Sequence, residues 1–271
     1  MTTPRERAER FAALHHGPAP LLMPNPWDAG SAKLLTEIGF QALATTSSGF
    51  AATLGRTDGN VSRDEALAHA AAIVGATDLP VSADLENGFG EEPETAAETI
   101  AMARAIGLAG GSIEDSAGRD TGVYPLDLAV ERVAAAAEAA HADDGRFVLT
   151  ARAENFIRGN PDLADTIARL QAFQAAGADV LFAPGLAAPD DIRAVVDAVD
   201  LPVNVLALPN VPPIAELAAL GVARVSVGGS FAYVAWGAVA AAGRELLDHG
   251  TYGYWQTGGP GADVARRALG R

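Results

Sequence analysis

The chain has 271 residues, of which 49% are apolar, 6% aromatic and 20% charged, so it can bury a substantial core and is too hydrophobic for intrinsic disorder. A net charge of −15, from 34 acids against 19 bases, repels phosphate backbones and argues against a nucleic-acid partner. Cysteine is absent, which excludes disulfides, thiolate metal sites and a cysteine nucleophile or acid.

The first residues, MTTPRERAERFAALHH, alternate charge and apolar groups without an apolar core, unlike a signal peptide. The longest apolar stretch, 231–243, falls short of the roughly 20 residues that span a bilayer. No membrane association is expected, and the expected location is the cytoplasm. Residues 1–20 read as an extra N-terminal helix able to cap one end of a fold.

Beyond it, short apolar runs alternate with helical patterns. Strands are expected at 21–23, 42–45, 81–83, 111–113, 147–151, 180–182, 203–206 and 224–227, each bounded by Gly, Pro, Asp or Asn. Helices are expected at 28–38, 62–76, 94–106, 126–141, 161–176, 188–198, 213–219 and 231–247. Ser62 with Glu65 forms a capping-box pattern, and Asp28 and Asp127 sit near helix starts. Gly39, Gly107, Gly177 and Gly221 close helices just before the next strand. Strands recurring every ~30 residues are the mark of βα units. Eight units in this length point to one α/β domain over 1–271, a (β/α)8 TIM barrel, with an open doubly wound sheet as the alternative. The helix over 231–247 is apolar on nearly all faces at its start. With the tail to 271 it reads as a contact with another subunit, or as a helix packed beneath the tail.

In such a barrel, chemistry sits at the C-terminal ends of the strands. Those ends read Asn25, Trp27 and Asp28 after the first strand, then Thr45-Thr46-Ser47-Ser48-Gly49 after the second. Asp84-Leu85-Glu86-Asn87-Gly88-Phe89-Gly90 follows the third, and Glu114-Asp115 the fourth. Arg152, Glu154 and Asn155 follow the fifth, with Asn204 and Asn210 near the seventh. Asp84, Glu86, Glu114 and Asp58 are expected to converge on one mouth. Each alone reads first as a helix cap or an arginine partner; together they call for a hard divalent cation, Mg²⁺ first and Mn²⁺ as an alternative. With no Cys and His only at 15, 16, 69, 141 and 249, zinc and copper are poorly supplied. The hydroxyls at 45–48 suit a carboxylate or phosphate, and Arg152 suits charge developing on a substrate oxygen or a structural pair with Glu154 or Glu114.

The pieces PNPWDAGSAKL, TTSSGFAATLGRTDGN, VSADLENGFG, GGSIEDS, LTARAENF and NVLALPN, in this order, resemble the isocitrate lyase / phosphoenolpyruvate mutase superfamily over residues 20–245. The resemblance implies a (β/α)8 barrel, commonly a tetramer of dimers that exchange their last helix. It implies Mg²⁺-dependent chemistry on small 2-oxo acids or hydroxy-polycarboxylates, in which a C–C or P–C bond is made or broken through an enolate-like intermediate. Carried over, Asp84 becomes the principal metal ligand, with Asp58, Glu86 and Glu114 acting mostly through metal-bound water. Thr46, Ser47 and Ser48 would hold the substrate carboxylate, with Trp27, Asn204 and Asn210 around it, and Arg152 the enolate or carboxylate oxygen.

Two departures stand out. Isocitrate and methylisocitrate lyases carry a Lys-Lys/Arg-Cys-Gly-His loop after the fourth strand, and mutases place a gating lysine there. Here the region reads EDSAGRDTGVYPLDLAVERV, leaving Arg119, Asp120 and Tyr124, with Tyr124 as a replacement acid or a packing residue. The third acid is Glu86 where Asp is usual. The leading expectation is a Mg²⁺-dependent carbon–carbon lyase or decarboxylase acting on oxaloacetate-, methylisocitrate- or alkylmalate-like acids, as a homo-oligomer. A phosphonopyruvate-type P–C hydrolase and a non-catalytic 2-oxo-acid-binding protein are the alternatives. A Schiff-base aldolase is disfavoured, because the single lysine, Lys33, lies in a helix rather than at a strand end.

Overall fold

The computed structural model describes residues 2–118, 122–144 and 146–270. Eight strands run in chain order: β1 (Leu21–Met23), β2 (Leu43–Ala44), β3 (Val81–Asp84), β4 (Gly110–Glu114), β5 (Val148–Arg152), β6 (Val180–Phe182), β7 (Val203–Leu206) and β8 (Arg224–Ser226). All their pairings are parallel, in the order β1-β8-β7-β6-β5-β4-β3-β2. The remaining seam, between β1 and β2, is stitched rather than laddered. The Ala44 amide donates to the Pro24 carbonyl at 3.0 Å. Asn25 Nδ2 donates to the Thr45 carbonyl at 2.8 Å, while its Oδ1 accepts from the Val227 and Gly228 amides. One side chain thus ties β1 to both neighbours, so the sheet is a nearly closed barrel and not the open alternative.

The helices follow their sequence signals. α1 (Pro4–Leu14) starts on a Thr3–Glu6 capping box, α2 (Ala29–Ile38) on Asp28, and α4 (Arg63–Val74) on the expected Ser62–Glu65 box. α5 (Pro93–Ala105), α6 (Leu126–His141), α7 (Leu163–Ala175), α8 (Pro189–Ala198) and α9 (Ile214–Ala219) complete the outer layer. Asp127 lies inside the first turn of α6 rather than at its cap, which is Pro125.

Two helices have no counterpart among the expected elements. α3 (Ser47–Thr53) folds from the hydroxyl run, because Thr46 takes the extended cap conformation and its hydroxyl accepts from the Gly49 amide. α11 (Trp255–Ala268) contains Pro260 amid several glycines, a composition that reads as a linker, and it packs against α2.

The barrel floor is plugged by α1. Phe11 is fully buried among Leu21, Met23, Ala42, Ala44, Ala109, Val148 and Val180. Gly110 is required there: a Cβ would come within 2.7 Å of both the Phe11 ring and the Val148 carbonyl. α10 (Ser230–His249) has only Ala232 buried; Val234, Trp236, Val239 and Leu247 are exposed. Among the described residues no helix is long and apolar enough to cross a membrane.

Candidate active site

The strand ends meet in a cavity of about 220 Å³ lined by Asn25, Thr46, Ser47, Ser48, Asp58, Asp84 and Arg152 among others. Above it opens a wider mouth of about 770 Å³, to which Glu86, Glu114, Glu154 and Arg158 contribute.

Asp84, the last residue of β3, is held from both sides. Its amide donates to Thr45 Oγ1, and its Oδ2 accepts from the Ser47 hydroxyl at 2.9 Å. Its Oδ1 meets Arg152 Nη1 at 2.9 Å. Gly49 lets the helix bearing these hydroxyls tuck in, since a Cβ would come within 2.5 Å of the Thr46 methyl and crowd Trp27 at 3.3 Å. Arg152, the last residue of β5, also pairs with Glu114 at 3.2 Å and with Glu154 at 2.7 Å, and its guanidinium lies over the Phe182 ring. Arg158 closes the outer side, meeting Glu114 at 3.2 Å and Glu154 at 3.1 Å.

Beneath this layer, Asp115 accepts from the Glu154 amide at 2.8 Å and pairs with Arg169, which also donates to the Tyr124 carbonyl. The buried Arg132 of α6 donates to the carbonyls of Asn87 and Glu91, fixing the loop that carries Glu86. In that loop Glu86 adopts a left-handed backbone with φ 50°. Strain of this kind, outside glycine, is retained where the surroundings hold it in place and is common at functional sites.

The charges do not balance. Burial, followed by the charges of Asp84 and Asp58, pushes the Glu86 carboxyl up to about 7. Burial also pushes Glu114 up, with Glu154 and Asp84 adding to the effect and the two arginines opposing it. Arg152 is raised: burial works against its charge, but Glu154, Glu114 and Asp84 together outweigh that. Burial is the larger cause of the Glu86 and Glu114 shifts. The charge deficit shows in the lining itself, where, around the rim, Asp58, Asp84, Glu86, Glu114 and Glu154 face only Arg152 and Arg158 among the described residues. Among the described residues no group of three or more His, Asp or Glu side chains is placed to hold a metal ion by itself. The available donors are all oxygens, which suits a hard cation that takes one or two carboxylates and keeps its waters.

The structure therefore gathers Asp58, Asp84, Glu86, Glu114, Arg152, Thr46, Ser47 and Ser48 around one opening. It does not bring Trp27, Tyr124 or Asn210 into the lining. Trp27 is held by its backbone, its amide donating to Ser31 and its carbonyl accepting from His69. Tyr124 is buried at the loop's end; its hydroxyl accepts from Asn87 Nδ2 at 3.0 Å and its ring lies under Arg132. These contacts match the packing alternative, and Tyr124 does not line the cavity. Asn210 is exposed beyond β7. Asn204 lines the cavity but deep in the barrel, bonded to Ser226 and Arg224. Arg119 and Asp120 lie outside the described residues. Sequence reasoning missed Arg158, which reaches the mouth only because Asn155–Arg158 form a 3-10 turn.

A profile of the phosphoenolpyruvate phosphomutase family matches residues 11–247. A Burkholderia cenocepacia protein provisionally named a lyase/mutase shares 53% identity and superposes with a TM-score of 0.93 over 97% of this chain and 95% of that one. A Corynebacterium glutamicum protein provisionally assigned as a 2-methylisocitrate lyase is 30% identical over 267 residues, 92% of this chain and 84% of its own length. An oxaloacetate acetylhydrolase bound to its product oxalate shares 25% identity and a TM-score of 0.85, covering 93% of this chain and 90% of that one. With the profile spanning nearly the whole barrel and the motifs at its strand ends, the chain belongs to the phosphoenolpyruvate phosphomutase family of the isocitrate lyase / phosphoenolpyruvate mutase superfamily.

Proposed function

We propose that the chain is a divalent-metal-dependent carbon–carbon lyase or decarboxylase that acts on a small 2-oxo or 2-hydroxy acid. The observation that carries this reading is the Asp84–Arg152 pair at 2.9 Å, set among carboxylates that lack enough positive charge. The donor set fits Mg²⁺, or Mn²⁺, with Asp84 as principal ligand and Glu86, Glu114 and Asp58 around it. Bound there, the ion would supply Lewis-acid polarisation of the substrate's oxo group. The chain's own groups do the rest. Thr46 and Ser48 offer hydroxyl and amide donors to the substrate carboxylate, and Ser47 would join them only by releasing Asp84 Oδ2, to which its hydroxyl and amide now donate. Arg152 faces the oxygen on which enolate charge develops as the bond breaks, and its buried, preorganised guanidinium needs no reorganisation to stabilise it. The relatives that act on oxaloacetate and 2-methylisocitrate support this substrate class.

A second reading is favoured by one observation: Tyr124 is turned to Asn87, so the β4 loop offers no evident proton donor among its described residues. That reading is a protein that binds a 2-oxo acid without turning it over. The test is Mg²⁺-dependent turnover of oxaloacetate, 2-methylisocitrate and phosphonopyruvate, with Asp84→Ala as control, beside thermal stabilisation by pyruvate, oxaloacetate and 2-oxoglutarate. Release of pyruvate, succinate or acetate that vanishes in the variant supports the lyase. Release of phosphate from phosphonopyruvate would make it a P–C hydrolase instead. Metal-dependent stabilisation without turnover favours the binding protein.

We also propose a homo-oligomer in which a second copy covers α10. Val239 is 73% and Leu247 86% exposed on a helix whose apolar side chains are unsuited to water. Trp236→Asp is expected to lower the mass measured by light scattering; a wild-type monomer contradicts the arrangement.

A further inference from the structure

The cavity does not stop at the charged layer. It continues down the barrel axis, past Ser82, Ser112 and Thr150, to Arg224 at the start of β8. Thr150 lies two residues before Arg152 on β5, and both line the cavity, so this lower chamber sits roughly 7 Å beneath Arg152.

Arg224 is 3% exposed, and each of its nitrogens meets a neutral group. Nε donates to Asn204 Oδ1 at 2.9 Å, Nη2 to Thr150 Oγ1 at 3.1 Å, and Nη1 meets His15 Nε2 at 3.1 Å. His15 Nδ1 is occupied at 2.8 Å by the Phe11 carbonyl, to which it donates, so Nε2 is the acceptor and the imidazole is neutral. Burial holds it there, at about 3. No described carboxylate pairs with Arg224; the acids above are engaged with Arg152 and Arg158. Burial alone pushes its guanidinium down to about 9, which leaves it charged at neutral pH.

The groups around it have donors to spare. A guanidinium carries five N–H, and three are matched here. Thr150 Oγ1 accepts from Arg224 and Ser226 Oγ accepts from Asn204, so both hydroxyl hydrogens remain to be donated elsewhere. The strong acceptors, Asn204 Oδ1 and His15 Nε2, are already used by Arg224. A water in this space would find donors and few acceptors, whereas an anion would find what it needs and would neutralise a buried charge.

We propose that this chamber is a binding site for a small inorganic monoanion of halide size, held by Arg224 with the Thr150 and Ser226 hydroxyls. A halide occupies about the volume of one water, roughly 30 Å³ of the space. The site lies at the foot of the same cavity, below the residues assigned to the substrate, and does not depend on which acid the enzyme uses.

The test has two arms. In crystals of the wild-type protein grown with sodium bromide, an anomalous-difference peak is expected in contact with the Arg224 Nη atoms. In thermal melts at constant ionic strength, chloride in place of gluconate, at about ten times its dissociation constant, is expected to raise Tm by about 3–5 °C. Arg224→Gln should remove that dependence; if the variant does not fold, the wild-type arms decide. A chamber filled by waters with no anomalous signal, or equal melting in both salts, overturns the proposal. So does a carboxylate of oxalate occupying the chamber in soaked crystals, because the anion is then the substrate's own.

Discussion

Arg152 and Arg224 line one cavity in the same barrel, and their surroundings are opposite. Arg152 meets three carboxylates within 3.2 Å, and their charges hold its proton more tightly than usual. Arg224 meets an amide oxygen, a hydroxyl and a neutral imidazole, and burial weakens its hold on its proton. Both arrangements satisfy a buried guanidinium's geometry, but they leave different charge behind. The upper layer keeps a surplus of acid, which a divalent cation could neutralise and so admit a carboxylate-bearing substrate; the lower layer keeps a surplus of positive charge. The pair stacks two fields of opposite sign along one axis, and only the upper one lies at the strand ends where catalysis is expected.

The largest effect should come from removing the upper member. Arg152→Met is expected to lower kcat by about 10³-fold on whichever acid is turned over, the scale seen when one preorganised oxyanion donor is deleted. Steady-state kinetics at saturating Mg²⁺ would measure it. A loss below tenfold would return Arg152 to the purely structural role its three ion pairs also allow.

The floor should respond in stability rather than rate. Phe11→Ala removes the ring that closes the barrel's N-terminal end and should cost about 3–5 kcal/mol, read from the urea midpoint. A loss near zero would mean that α1 is dispensable and that Arg224 is not sealed from below.

A smaller effect separates the two layers by pH. His15 has a value of about 3 in the fold against an ordinary 6.5, so in that window the unfolded chain takes up a proton that the native chain refuses. The stability contributed by the neutral ring is full above pH 6.5 and is lost as pH falls towards 3, by about 2 kcal/mol at pH 5. Urea titrations at pH 7 and pH 5 should show this drop in the wild type and a shallower one in His15→Gln. Equal slopes would mean that the ring takes up its proton as readily in the fold as in the unfolded chain, and so is not held neutral beside Arg224.

How much of this was legible in the sequence follows the same division. Asp84, Glu114 and Arg152 could be read because each ends an apolar run bounded by polar residues, and strand ends in a barrel share one rim. The Ser62–Glu65 cap could be read because both partners lie within one turn. Arg158 could not, since its place depends on a 3-10 turn that folds it back over Glu154. Tyr124 could not, because only tertiary contacts with Asn87 and Arg132 decide where its hydroxyl points. Arg224 could not be singled out, since the sequence offers an N-terminal helix over 1–20 but not the contact, some 200 residues away along the chain, by which His15 at its end meets the guanidinium.

The finest distinction lies in how Asp84 is oriented. Its two oxygens are held differently, Oδ1 by Arg152 and Oδ2 by the Ser47 hydroxyl and amide. Ser47→Ala removes the hydroxyl bond while leaving the salt bridge, so the carboxylate keeps its charge and loses part of its aim. Groups that orient a metal ligand typically change metal affinity by about 10–100-fold, and with the amide and Arg152 retained the effect should lie near the lower end. The half-saturating Mg²⁺ concentration for turnover should therefore rise about tenfold, with kcat at saturating metal changed far less than in Arg152→Met. If instead kcat falls and the metal requirement stays fixed, Ser47 acts on the substrate carboxylate, and the hydroxyl run belongs to the substrate rather than to the metal ligand.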